Sequence, residues 1–140
     1  MTGFLIDTNV VSELTRPEPD SNVVAFLDAQ PDVWLSTVVL HELEYGLGIL
    51  PSGKRRDDLS QTLANLVSEY GDRIIPLEQA EAQAAATLRA AAKNSGRVLH
   101  LADALIAGTA QAHALTIATR NIADFAGLGV QLANPWKAIS

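Results

Sequence analysis

Asp7 closes the apolar run Phe4-Leu5-Ile6 and is followed at once by Thr8-Asn9-Val10-Val11. A short buried strand that ends in a carboxylate sets that carboxylate at the C-terminal edge of a sheet, where α/β folds bind ligands. Three more acidic residues stand in comparable places. Glu42 lies in His41-Glu42-Leu43, Asp103 in Leu101-Ala102-Asp103-Ala104-Leu105-Ile106, and Asp124 three residues after Asn121. Brought together, they are an oxygen-only donor set, which suits Mg²⁺ or Mn²⁺; such ions take a few carboxylates and keep several waters. The chain has no cysteine and three histidines, which does not suit zinc. One or two hard cations can activate water and stabilise the charge growing on the attacking and leaving oxygens of a phosphodiester. The expected chemistry is metal-dependent phosphodiester hydrolysis.

Each acid also has an ordinary structural role open to it. Asp7 at a strand-to-helix turn can be a helix N-cap. Asp103 in the first turn of a very apolar helix can serve the helix dipole, although a charge there is costly unless paired or metal-bound. Glu42 can be a solvated helix-edge residue, with Glu44 competing for its role. Asp124 can be a turn residue, and Asn121 is an alternative oxygen donor.

Other chemistries lack their residues. His41-Glu42 has no second histidine at the metalloprotease offset, and there is no Gly-x-Gly-x-x-Gly, Walker A or Gly-x-Ser-x-Gly sequence. His113, near a helix C-terminus, reads as a dipole-compensating residue. A haloacid-dehalogenase-type phosphatase needs an acid two residues after the first; this chain has Asn9. A receiver-like phospho-acceptor needs an N-terminal acidic pair and a late lysine, and Lys137 stands too near the end.

The elements that must position these residues alternate in type. Strands are expected over residues 3–7, Val33–Ser36, Arg73–Leu77 and Leu115–Thr119, with a fifth over Gly129–Leu132. Thr8 or Asn9 is expected to cap a helix through Leu14, and Ser21 one over 22–29. Thr37 starts a helix with an apolar stripe of Leu40, Leu43, Leu47 and Leu50, and Glu42 lies at its margin. A helix over Arg55–Tyr70 turns Leu59, Leu63, Leu66 and Val67 inward and stops at Gly71. Helices over 78–94 and Leu101–His113 follow, the latter with Leu101, Ala102, Leu105, Ile106 and Thr109 on one face. Such alternation is the signature of an α/β fold with a parallel sheet covered on both faces.

A chain of 140 residues suits one domain, 1–140, with a real core. Its hydrophobic content of 48% and mean hydropathy of +0.14 exclude disorder. No apolar run approaches the roughly 20 residues of a membrane span, and no signal peptide is evident, so no membrane association and a cytoplasmic location are expected. A net charge of −6 argues against holding nucleic acid by bulk charge. Lys54-Arg55-Arg56 is nonetheless basic, and a cation in the acidic site would offset part of the repulsion.

Together these segments resemble a known family. Phe4-Leu5-Ile6-Asp7-Thr8-Asn9-Val10-Val11-Ser12-Glu13-Leu14 is similar to the start of PIN-domain ribonucleases, and more narrowly of VapC toxins of the FitB-like branch. The resemblance continues through Leu35–Leu43, Asp103–Ala110, Leu115–Asn121 and the closing Asn134-Pro135-Trp136, in order and spacing along the chain. It implies a PIN-like three-layer α/β/α sandwich with a short, mainly parallel central sheet. It implies a Mg²⁺-dependent endoribonuclease, with Mn²⁺ as a substitute, acting as the toxin of a toxin–antitoxin pair. By position, Asp7, Glu42 and Asp103 match the family's most dependable acids, with Asp7 and Asp103 as direct Mg²⁺ ligands. Many relatives have an acid where this chain has Asn121; either Asp124 supplies that charge, or Asn121 acts through its carbonyl or a water. Thr8 and Thr119 match hydroxyls that support the ligands. A homodimer, held by a cognate antitoxin whose C-terminal segment covers the acidic groove, is also implied, with Trp34 or the Leu59/Leu63 helix as candidate dimer contacts. The alternative is a PIN-shaped RNA-binding or interaction protein whose site has weakened, favoured by the missing acid at 121.

Overall fold

Three short apolar segments with no polar alternation form the centre of the sheet, because strands covered on both faces read as continuous apolar runs. They are β1 (Phe4–Ile6), β2 (Val33–Ser36) and β4 (Thr116–Ala118). Leu5, Ile6, Leu35, Ile117 and Ala118 are fully buried. With β3 (Ile74–Ile75) and β5 (Leu132–Ala133) they make a five-stranded, all-parallel sheet in the order β3-β2-β1-β4-β5. The computed structural model describes residues 3–137.

The helices are α1 (Thr8–Leu14), α2 (Ser21–Ala29), α3 (Thr37–Gly48), α4 (Lys54–Tyr70), α5 (Gln79–Asn94), α6 (Leu101–Ala112) and α7 (Ile122–Phe125). The chain runs β1 to β2 to β3 in one direction, then crosses back to β4 and β5 on the other side of β1. The strand order therefore reverses between β1 and β4, and the crevice at their C-terminal ends is where such sheets bind ligands. Register fixes what meets there. Ile6 pairs with Ala118, so Asp7 and Thr119 leave the sheet side by side.

Several boundaries differ from expectation for local reasons. Asp7 itself caps α1, accepting from Thr8 N–H at 2.8 Å, in place of Thr8 or Asn9. Asp20, in place of Ser21, caps α2, accepting from Asn22 N–H at 2.8 Å and Val23 N–H at 3.4 Å. β3 contracts to two residues between a 3₁₀ turn over Gly71–Arg73 and Pro76, which has no N–H to extend the ladder. β5 starts at Leu132, because Gly129 (φ +76°) is still in the preceding turn.

Helix faces differ too. Leu101, expected inward, is 56% exposed, and Val67 is 38% exposed. Ile106 and Thr109 are buried as expected, and Ala104, Ala107, Gly108 and Ala110 complete the inward side of α6. A Cβ on Gly108 would lie 2.4 Å from the backbone N of Ala85 and 2.7 Å from its Cα, so only glycine lets α6 pack this closely on α5. Trp34 is half-buried and donates from Nε1 to Asp32 Oδ1 at 2.6 Å, so it is not a free surface contact.

Candidate active site

Asp7 is 6% exposed and both of its oxygens are engaged. Oδ1 accepts the Thr8 N–H; Oδ2 accepts the Thr119 hydroxyl at 2.9 Å and Asn9 Nδ2 at 3.3 Å. The N-cap and the candidate ligand are thus one residue, since Oδ1, with one donor, keeps a second lone pair. The fully buried Thr119 hydroxyl also accepts the Asn121 N–H at 3.0 Å. Asn9 joins the same network, its Oδ1 accepting the Arg120 N–H at 3.2 Å. This net ties the turn after β1 to the turn after β4.

Glu42 comes from α3, half-buried, and its Oε1 accepts the Thr8 hydroxyl at 2.9 Å. Thr8 and Thr119 thus donate to two of the acids, Glu42 and Asp7. Asp103 enters from the first turn of α6 and is half-buried. Asp124 sits exposed on α7, and Asn121 stands at the start of that turn, facing the same groove as Asp7 and Asp103.

The electrostatics show how close the four acids are. Burial pushes the Asp7 carboxyl above its ordinary value; the Thr119 hydroxyl and Thr8 N–H oppose this, and Glu42 and Asp124 add to it. Burial likewise raises Asp103, followed by the charges of Asp7, Asp124 and Glu42, with only His100 opposing. Among the described residues, none of the four acids makes a salt bridge. Nor do any three acidic or histidine side chains converge as a finished metal cage. The arrangement is four carboxylates from four chain segments, mutually repelling, with no salt-bridged lysine or arginine among the described residues.

A groove of about 1020 Å³ opens from this cluster between α1, α3 and α4. Its far walls are apolar, lined by Leu43 and Leu47 of α3, Leu50 just beyond it, and Leu59, Leu63 and Leu66 of α4. The expected leucine stripes therefore face each other across an open cleft, leaving most of them only half-buried. Arg16, Arg55 and Arg120 stand along the same groove. Arg120 lies over the Trp136 ring, 5.1 Å from its centroid.

His113 does more than expected at the end of α6. Its Nε2 lies 2.7 Å from Oε2 of Glu81, a buried residue of α5, far from the acidic cluster. Sequence reading missed Glu81 because its partner lies 32 residues away, on another helix.

Comparison with known proteins gives consistent matches. A family model described as PIN domain matches residues 4–128. The chain is 39% identical to the VapC ribonuclease Y4jK of Sinorhizobium fredii, over 96% of this chain and 98% of the relative. It superposes on the crystal structure of FitAcB from Neisseria gonorrhoeae with a TM-score of 0.88 and 39% identity, covering 95% of this chain and 98% of that one. A toxin–antitoxin complex from Klebsiella pneumoniae matches with a TM-score of 0.72 and 27% identity, over 98% of this chain and 100% of that one.

Proposed function

From the premise that this chain belongs to the PIN-domain family, we propose that it is a metal-dependent endoribonuclease and the toxin of a toxin–antitoxin pair. The observation that carries this reading is the set of uncompensated carboxylates, Asp7, Glu42, Asp103 and Asp124, at the switch point of a parallel sheet. Groups whose ionisation is disfavoured by burial and like charge mark functional sites, and a divalent cation is the partner this donor set lacks.

The residues fit Mg²⁺ or Mn²⁺. All the donors are hard oxygens, and an open cluster suits an ion that binds through a few carboxylates and keeps its waters. Asp7, Asp103 and Glu42 would hold the ion, with Asp124 or Asn121 completing the site. A bound ion would supply an activated water and offset charge on the phosphate oxygens. The protein's own part is orientation. Thr119 and Asn9 fix the Asp7 carboxylate, and Thr8 fixes Glu42. Arg16, Arg55 and Arg120 offer phosphate contacts along the groove despite the net charge of −6. That Asp103 and Asp7 both feel Asp124 supports it as the fourth acid. This weakens the case for a disabled, binding-only domain.

The relatives in toxin–antitoxin complexes support an antitoxin partner here. The facing leucines of α3 and α4 suit an apolar segment of that partner, leading toward the acids. For a homodimer, the exposed Tyr45 of α3 and Ile49 at its C-cap, with Val98 and Leu101, are better contacts than Trp34 or Leu63. The test of the nuclease is cleavage of a labelled tRNA and structured-RNA panel by antitoxin-free protein, with Mg²⁺, Mn²⁺ or EDTA. Cleavage that needs metal and is lost in Asp7→Asn and Asp103→Asn is the expected result. A folded, metal-loaded protein that cuts nothing in the panel, and is not rescued by Asn121→Asp, would count against it.

A further inference from the structure

Arg97 lies in the connection between α5 and α6, six residues before Asp103. Its guanidinium reaches across to the turn after β4 and donates to three main-chain carbonyls there. Nη2 meets Ala123 O at 3.1 Å and Asp124 O, and Nη1 meets Ala126 O. α7 is a single turn of four residues, too short to satisfy its own C-terminal carbonyls. One planar fork with donors at fixed angles closes that end of the turn. Nearby, Gly127 holds φ +80°, and a Cβ there would lie 3.7 Å from Nη1.

The consequence concerns the acids. Arg97 joins the segment leading into Asp103 to the turn that bears Asp124, and these two carboxylates act on each other. Asp124 has no side-chain hydrogen bond of its own among the described contacts, unlike Asp7 and Glu42. Its position is set by the backbone of α7 alone, anchored on one side by the buried Phe125 and on the other by Arg97. We propose that Arg97 is a positioning residue that holds Asp124 against Asp7 and Asp103 and thereby sets the site's affinity for a divalent cation. This rests on the metal-dependent reading above and adds to it a residue outside the acidic cluster.

The experiment is Mn²⁺ titration of the full chain by calorimetry, for wild type, Arg97→Ala, Arg97→Lys, Asp124→Asn and the Arg97→Ala/Asp124→Asn double variant. Thermal melts in EDTA run alongside. Outer-shell partners of metal ligands typically control affinity by about 10–100-fold. Arg97→Ala is expected to weaken Mn²⁺ binding within that range, with partial recovery in millimolar guanidinium. Arg97→Lys, which keeps the charge but loses the planar fork, falls between. The double variant is expected to bind no more weakly than Asp124→Asn, because Arg97 acts through that residue. Wild-type affinity in a folded Arg97→Ala protein, or losses that simply add in the double variant, overturns the inference. If Arg97→Ala does not fold, full wild-type affinity in Arg97→Lys overturns it equally. A wild-type protein that binds no Mn²⁺ would instead overturn the metal reading itself, and this inference with it.

Discussion

The Thr119 hydroxyl donates to Asp7 Oδ2 at 2.9 Å, across 112 residues of sequence and between two adjacent parallel strands. The same oxygen accepts the Asn121 N–H, so one buried hydroxyl orients the first acid and the turn leading to the fourth. Thr119→Val keeps the shape and removes both bonds. It takes the hydroxyl acceptor from the Asn121 N–H, a bond worth about 0.5–1.5 kcal/mol. It also removes the strongest influence opposing the raised Asp7 pKa. Chemical denaturation and Mn²⁺ titration should both report a loss; an unchanged Mn²⁺ affinity would separate Thr119 from the site.

The fourth acid can be decided by substitution. Asp124 acts electrostatically on both Asp7 and Asp103, whereas Asn121 contributes a neutral side chain at the groove. Asp124→Asn should lower the rate of RNA cleavage at least tenfold more than Asn121→Ala does, the scale on which groups supporting a metal site act. The reverse order would assign the position to Asn121.

Acidity should affect the metal-free protein in a defined direction. Asp7 and Asp103 are both held above their ordinary value of 3.8. The folded state therefore binds their protons more tightly than the unfolded chain does. Their contribution is favourable at low pH and is lost as pH rises from 3.8 through the raised folded values. In EDTA at pH 7, Asp7→Asn and Asp103→Asn should melt higher than wild type, by roughly 2–4 °C for each kcal/mol relieved. The gap should close below pH 4. Lower melting of both variants at pH 7 would mean that the acids are not repelling one another.

Glu81 behaves in the opposite sense. Its own backbone N–H, then His113, then the Glu78 N–H hold its carboxyl below the ordinary 4.5. That contribution is present above 4.5 and is lost as pH falls through the depressed value. Glu81→Gln should lower the melting temperature at pH 7, with the difference shrinking as pH falls through the depressed value, and without changing Mn²⁺ affinity, since Glu81 and its partner His113 lie away from the acidic cluster.

α5 and α6 approach each other closely at Gly108. Gly108→Ala gains about 1 kcal/mol of helix propensity, but its Cβ would meet the Ala85 backbone, which cannot rotate away. Overpacking of this kind costs about 1–3 kcal/mol. Urea denaturation should show net destabilisation; a more stable variant would mean that the helices part without penalty.

What could be read from the sequence follows physical lines. The central strands were legible because Leu5, Ile6 and Leu35 lie in short apolar runs and Ile117 in a short segment rich in apolar and β-branched residues. Asp7 was legible because it ends such a run. Its cap role and its site role looked like alternatives, yet two oxygens with two lone pairs each allow both. On α6, Ile106 and Thr109 were legible as buried, but Leu101 misled because it is large and apolar, while the close approach to α5 depends on Gly108, whose value lies in its small size. β5 was displaced because Gly129 can adopt a turn conformation that no periodicity reveals. Arg97 was invisible because its partners are carbonyls 26 to 29 residues away, which no side-chain pattern records.

The most direct measurement is the anomalous difference density of crystals of this protein grown or soaked with Mn²⁺. The account predicts a manganese peak at bonding distance from carboxylate oxygens of both Asp7 and Asp103, absent from Asp7→Asn crystals. A well-ordered acidic cluster with no peak at saturating Mn²⁺, or a peak that persists in the Asp7→Asn variant, would contradict it.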